Sequence, residues 1–115
     1  KIQVNCIPAY LESILLNLVT NAIKYSNDKK DILISFNVTD TTDFLILNVS
    51  DNGVGIDMER YGSSIFGLYK TFHGHEDSRG GGLYITKNEI ETMGGKIEVE
   101  SKPNVGSTFK VYFKK

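Results

Sequence analysis

Apolar residues along this 115-residue chain follow two different periods. Leu11, Ile14, Leu15, Leu18, Val19, Ala22 and Ile23 recur at three- and four-residue intervals, which predicts a helix with one buried stripe. Pro8 suits its first turn, where a missing N–H is harmless, and Ser26-Asn27-Asp28 supplies an end. The next two apolar runs alternate instead. "DILISFNV" puts Ile32, Ile34, Phe36 and Val38 on one face of a strand, and "FLILNVS" does the same with Leu45, Leu47 and Val49. Asp40-Thr41-Thr42-Asp43 between them reads as a hairpin turn. After the glycine-punctuated loop "DNGVGID" and an irregular region from Met58 to Arg79, a second helix covers residues 83–93 and stops at Gly94-Gly95. Two last strands, "KIEVES" and "TFKVYF", flank a turn at Pro103-Asn104-Val105-Gly106. The order is strand, helix, hairpin, loop, helix, hairpin, which predicts a two-layer α+β sandwich in a single domain over 1–115.

Composition narrows the function classes. A net charge of −1 offers no basic surface for nucleic acid, so no nucleic-acid partner is expected. The single cysteine, Cys6, cannot form an internal disulfide, and the longest apolar stretch is interrupted at Asn17, too short to cross a bilayer. Lys1 rather than methionine opens the chain, so it reads as a fragment of a longer protein, with room for a membrane anchor elsewhere.

Three polar groups break the apolar pattern. Asn17, Asn21 and Lys24 share one sector of the first helix, away from its apolar stripe. They can be a solvated face. They can also serve a metal–phosphate group, because amide oxygens ligate Mg²⁺ and an ammonium meets phosphate. In "DNGVGID", Asp51 ends an alternating strand and is followed by Gly53 and Gly55, either a plain turn or a carboxylate beside closely approachable backbone. Such a carboxylate accepts from an exocyclic amine. The third group, Gly80-Gly81-Gly82, precedes a helix but fits neither the Walker pattern nor a dinucleotide fingerprint.

Taken in order, these motifs resemble the ATP-binding domain of sensor histidine kinases, within the superfamily that includes DNA gyrase, the heat-shock chaperone ATPases and the mismatch-repair ATPases. "NLVTNAIKYS" is similar to the kinase N box and "DNGVGID" to the G1 box. "SIFGLYKTFHG" is similar to the F box, "RGGGLYITKN" to the G2 box and "GGKIEVESKPNVGSTF" to the last strand pair with its G3 box. "FGLYKTFHG" most resembles receptor-type kinases of the Bacteroides–Flavobacterium group.

The resemblance implies a Bergerat-type fold, with a mixed, mainly antiparallel sheet covered by helices. It implies ATP and Mg²⁺ as ligands and transfer of the γ-phosphoryl group to a histidine on a separate dimerisation domain. The implied parent is a homodimeric cytoplasmic kinase, or the cytoplasmic part of a membrane-anchored one, that signals to a response-regulator receiver domain. By position, Asn21 becomes the principal Mg²⁺ ligand with Asn17 assisting, Lys24 meets phosphate and Tyr25 packs on the nucleotide. Asp51 becomes the acceptor for the adenine amino group, sharing a water with Thr108. Gly53, Gly55 and Ile56 line the base, while Lys70, Thr71 and Phe72 of the F box and Gly80, Gly81, Gly82 and Leu83 of the lid complete the nucleotide site.

Hydrolysing members of the superfamily resemble one another in carrying Glu where this chain has Asn17. An amide cannot act as general base, so the resemblance implies transfer rather than hydrolysis. His73 and His75 lie in a stretch without amphipathic periodicity and read as loop histidines, not phosphoacceptors. Ser78 stands where the G2 box often has glycine, and Gly81 where a larger residue is usual. The alternative reading is a catalytically weak nucleotide-binding interaction module. An anti-sigma-factor serine kinase of the same superfamily fits "NAIKYS" less well.

Overall fold

A computed structural model of the chain describes residues 4, 6–62, 65–66 and 82–115. Helix α1 (Pro8–Lys24) starts with Pro8 in its first turn, and the Ile7 carbonyl accepts from the N–H groups of Tyr10 and Leu11 at 2.9 and 3.0 Å. It ends at Tyr25, before the expected Ser26-Asn27-Asp28 stop. Strands β1 (Ile34–Asp40) and β2 (Phe44–Asp51) form the first hairpin. A short helix α2 (Met58–Tyr61) follows, then α3 (Gly82–Thr92) and the second hairpin, β3 (Lys96–Lys102) with β4 (Gly106–Lys114).

The four strands make one sheet in the order β1-β2-β4-β3, so the two hairpins meet along β2 and β4. All three pairings are antiparallel. The parallel component of the expected mixed sheet is therefore not present among the described residues, and of Val4, Cys6 and Ile7 none belongs to a strand.

Antiparallel partners share a face, so the register fixes which side chains meet the helices. Val49 lies opposite Phe109, Leu47 opposite Val111 and Leu45 opposite Phe113, with Val99 and Ile97 continuing the same rows onto β3. Val49, Phe109, Val111 and Phe113 are buried there against Ile14 and Leu18 of α1 and Leu83 and Ile90 of α3. Full burial of a side chain such as Val111 stabilises by about 1.5–3 kcal/mol.

Phe36 and Val38 alternate onto this same face, as expected, yet remain 52% and 59% exposed. Their strand is an edge, and α3 packs on α1, β3 and β4 rather than above it. The opposite face is polar. Lys110 pairs with Glu100 at 2.6 Å and the Tyr112 hydroxyl donates to Glu98 at 2.6 Å. Such solvent-exposed pairs contribute little stability.

Candidate nucleotide-binding site

The first polar group lies on the last two turns of α1. Asn17 is half-buried rather than solvated, because α3 packs along that flank. Its Nδ2 donates to Thr86 Oγ1 at 3.2 Å and to the Gly82 carbonyl at 3.5 Å, so its Oδ1 lone pairs stay uncommitted. The Asn21 side chain, one turn later, has no hydrogen-bond partner among the described residues. Lys24 is exposed at the helix end.

What brings α1 to the "DNGVGID" loop is a backbone junction. The Tyr25 carbonyl accepts from the Val54 N–H at 2.9 Å, and a Cβ on Gly53 would stand 2.4 Å from that carbonyl oxygen. Any side chain at 53 would push the loop off the helix end. Gly55 has φ +75°, a conformation that side-chain-bearing residues rarely adopt. A Cβ there would lie 1.9 Å from the Lys102 carbonyl oxygen. Asn104 N–H donates to the Val54 carbonyl at 2.7 Å, so the loop is flush with the β3–β4 turn as well.

Asp51 ends β2 on the inward face, and its Oδ1 accepts from the Gly53 N–H at 2.8 Å. Burial pushes its carboxyl above the usual carboxylate value, opposed by the backbone N–H donors of Gly53 and Ser107. Asn52 pins the loop from the other side: its Oδ1 accepts from the Leu33 N–H at 3.0 Å and its Nδ2 donates to the Asp31 carbonyl at 2.8 Å.

Asn21, Tyr25, Asp51, Gly55, Ile56 and Ser107 line one small hollow of about 10 Å³ above Phe109. It adjoins a wider cavity of about 520 Å³ that shares Asp51 and Ser107 and runs along the β3–β4 end under Met58. Thus five of the residues expected from the sequence converge here: Asn21, Tyr25, Asp51, Gly55 and Ile56. Gly53 adjoins them through its bond to Asp51, and Asn17 and Gly82 meet across the α1–α3 contact.

Thr108 is among the residues lining the wider cavity. The register pairs it with Ser50 on the outer face, where the two hydroxyl oxygens are 2.9 Å apart, and Ser107 takes the position opposite Asp51. Inward Phe109, Val111 and Phe113 set the odd positions of β4 inward, so Ser107 shares the face of Asp51. Leu83 is buried in the core. Lys70, Thr71, Phe72, Gly80 and Gly81 lie outside the described residues, as do His73 and His75.

Among the described residues no group of three His, Cys, Asp or Glu could hold a metal ion. A divalent cation here would need amide oxygens together with oxygens of the ligand, as Mg²⁺ commonly takes in phosphate sites. The uncommitted oxygens of Asn17 and Asn21 fit that demand.

Known proteins match this arrangement. Residues 6–115 match the family described as histidine kinase-, DNA gyrase B- and HSP90-like ATPase. The C4-dicarboxylate transport sensor protein DctB of Rhizobium meliloti is 38% identical over 105 residues, which is 91% of this chain and 16% of DctB. The signal transduction histidine-protein kinase BarA of Escherichia coli K12 is 38% identical over 108 residues, 89% of this chain and 12% of BarA. The chain therefore spans only a small part of these relatives. Among solved structures, the catalytic domain of histidine kinase ThkA superposes with a TM-score of 0.80 at 28% identity, covering 96% of this chain and 70% of that one. The four-strand antiparallel sheet with its helices is the fold of that ATPase domain. The chain belongs to the histidine kinase-, DNA gyrase B- and HSP90-like ATPase family, as an ATP-binding catalytic domain of the histidine-kinase kind.

Proposed function

We propose that this domain binds Mg-ATP and transfers the γ-phosphoryl group to a histidine on a separate dimerisation domain of a two-component sensor kinase. The observation that carries this reading is the convergence of Asn21, Tyr25 and the desolvated Asp51 on one hollow. Asp51 accepts from the adenine amino group, and Ser107 takes the neighbouring position that the sequence had suggested for Thr108. Tyr25 and Ile56, which line the hollow, supply apolar walls to the base. Asn21, assisted by Asn17, would hold Mg²⁺, which when bound neutralises charge on the phosphates. Lys24, exposed at the helix end, meets a phosphate. Phosphoryl transfer asks mainly for positioning and charge neutralisation, and these residues provide both.

The absence of a carboxylate at Asn17 favours a phosphorylated protein over hydrolysed ATP. The acceptor histidine, the receiver domain downstream and a homodimeric parent of the Bacteroides–Flavobacterium receptor type complete the proposal. The test is phosphorylation in trans: the chain is incubated with labelled ATP, Mg²⁺ and a histidine-bearing dimerisation domain. Acid-labile label on that domain supports the reading. Measurable Mg-ATP affinity without transfer would favour a nucleotide-controlled docking module, and acid-labile label on His75 of the chain itself would overturn the assignment of the acceptor.

A further inference from the structure

Ser101 lies on the inward face of β3, opposite Ser107 of β4. Its hydroxyl oxygen makes three contacts: the Ile56 N–H donates to it at 2.7 Å, the Gly106 carbonyl oxygen lies at 2.9 Å and Ser107 Oγ at 2.7 Å. A serine hydroxyl has one proton and two lone pairs. A carbonyl can only accept, so all three contacts are hydrogen bonds only when the Ser101 proton goes to Gly106. An amide N–H can only donate, so Ile56 occupies one lone pair. The third contact is then a hydrogen bond only if Ser107 donates into the remaining lone pair.

This assignment leaves Ser107 with no proton to offer the hollow, where it stands beside Asp51. An ionised carboxylate is also acceptor-only. Two acceptors side by side match a group that presents two N–H bonds, such as a 6-amino group on a purine. They oppose a 6-keto oxygen, which would face lone pairs and leave its own unpaired. Resting on the nucleotide-binding reading above, we infer that Ser101 is a positioning residue for purine choice: it holds the Ser107 proton away from the hollow, so that the site takes a 6-aminopurine and refuses a 6-oxopurine.

The test compares ATP with ITP, which differ at purine position 6 and the adjoining N1. Dissociation constants are measured for the 115-residue chain, Ser101→Ala, Ser101→Thr, Ser107→Ala and the Ser101→Ala/Ser107→Ala double variant. The preference of the parent chain for ATP is expected to fall roughly tenfold in Ser101→Ala, as the released Ser107 proton meets the keto oxygen. Ser101→Thr keeps the hydroxyl and should keep the preference. In the Ser107→Ala background, Ser101→Ala should change the ratio no further. An unchanged ratio in Ser101→Ala, or an equal loss of both affinities, overturns the inference while leaving nucleotide binding intact. Failure of the parent chain to bind ATP overturns the nucleotide reading and this inference with it. A melting scan of each variant separates loosening of the loop, which moves both affinities together, from a change in the ratio.

Discussion

Asp51 is half-buried at the end of a central strand, and the N–H groups of Gly53 and Ser107 only partly replace its lost hydration. An asparagine would keep an oxygen for the Gly53 N–H and shed the charge. Empty Asp51→Asn should therefore melt at the same temperature as the parent or higher at neutral pH. Its ATP affinity should fall tenfold or more, since a hydrogen bond to a charged acceptor is worth about 1.5–3 kcal/mol. Calorimetric melting combined with ATP titration reads both, and a variant that melts lower with unchanged affinity would mark Asp51 as structural. The pH signs follow from the raised carboxyl. Between the ordinary value of 3.8 and the raised one, the folded chain holds a proton that the unfolded chain releases. Acidification through that window favours the empty fold, and the contribution is lost as pH rises above the folded value. Binding runs the other way, because the adenine amine needs the ionised acceptor. ATP affinity should start to fall at a higher pH than an ordinary carboxylate would give, relative to Asp51→Asn measured over the same range. Asn21→Ala should abolish Mg-dependent binding with little change in melting, since that side chain has no partner among the described residues.

At the scale of elements, the glycines divide by what surrounds them. Gly55 has a positive φ and a carbonyl oxygen where its Cβ would be, so Gly55→Ala should destabilise the domain by about 2–3 kcal/mol or more, read by chemical denaturation. Gly82 begins α3, and among the described residues a Cβ there would meet only Asn17 Cγ at 4.0 Å. Gly82→Ala should stabilise the empty fold by about 0.5–1 kcal/mol through helix propensity. If the same change also weakens ATP binding, the glycine serves the ligand and not the packing. Both helices and both hairpins were legible because their apolar periods are long and clean. The helix α2 was not, being a single turn without an apolar stripe. Its only signal is Asp57, whose carboxylate caps it by accepting from Arg60 N–H at 3.3 Å. On β1 the alternation gave the correct face but not the burial, which depends on how far the helices reach across the sheet. That is a property of packing and not of the strand.

For the whole molecule, the helix-end and "DNGVGID" motifs were legible one by one, whereas the registration between strands did not follow from motif wording. Asp51 and the β4 hydroxyl beside it come from residues more than fifty positions apart, and a shift of one residue exchanges Ser107 for Thr108. The Tyr25–Val54 junction and the Ser101 hydroxyl, which bind helix, loop and hairpin into one wall, are tertiary contacts with no local signature. The account stands or falls on whether that wall binds Mg-ATP. The direct measurement is isothermal titration of the 115-residue chain with ATP, with and without Mg²⁺, in parallel with Asn21→Ala and Asp51→Asn. Saturable binding strengthened by Mg²⁺, with the Mg²⁺ effect lost in Asn21→Ala and adenine preference lost in Asp51→Asn, is the expected result. Binding that is indifferent to both substitutions, or no binding by the parent chain, would contradict it.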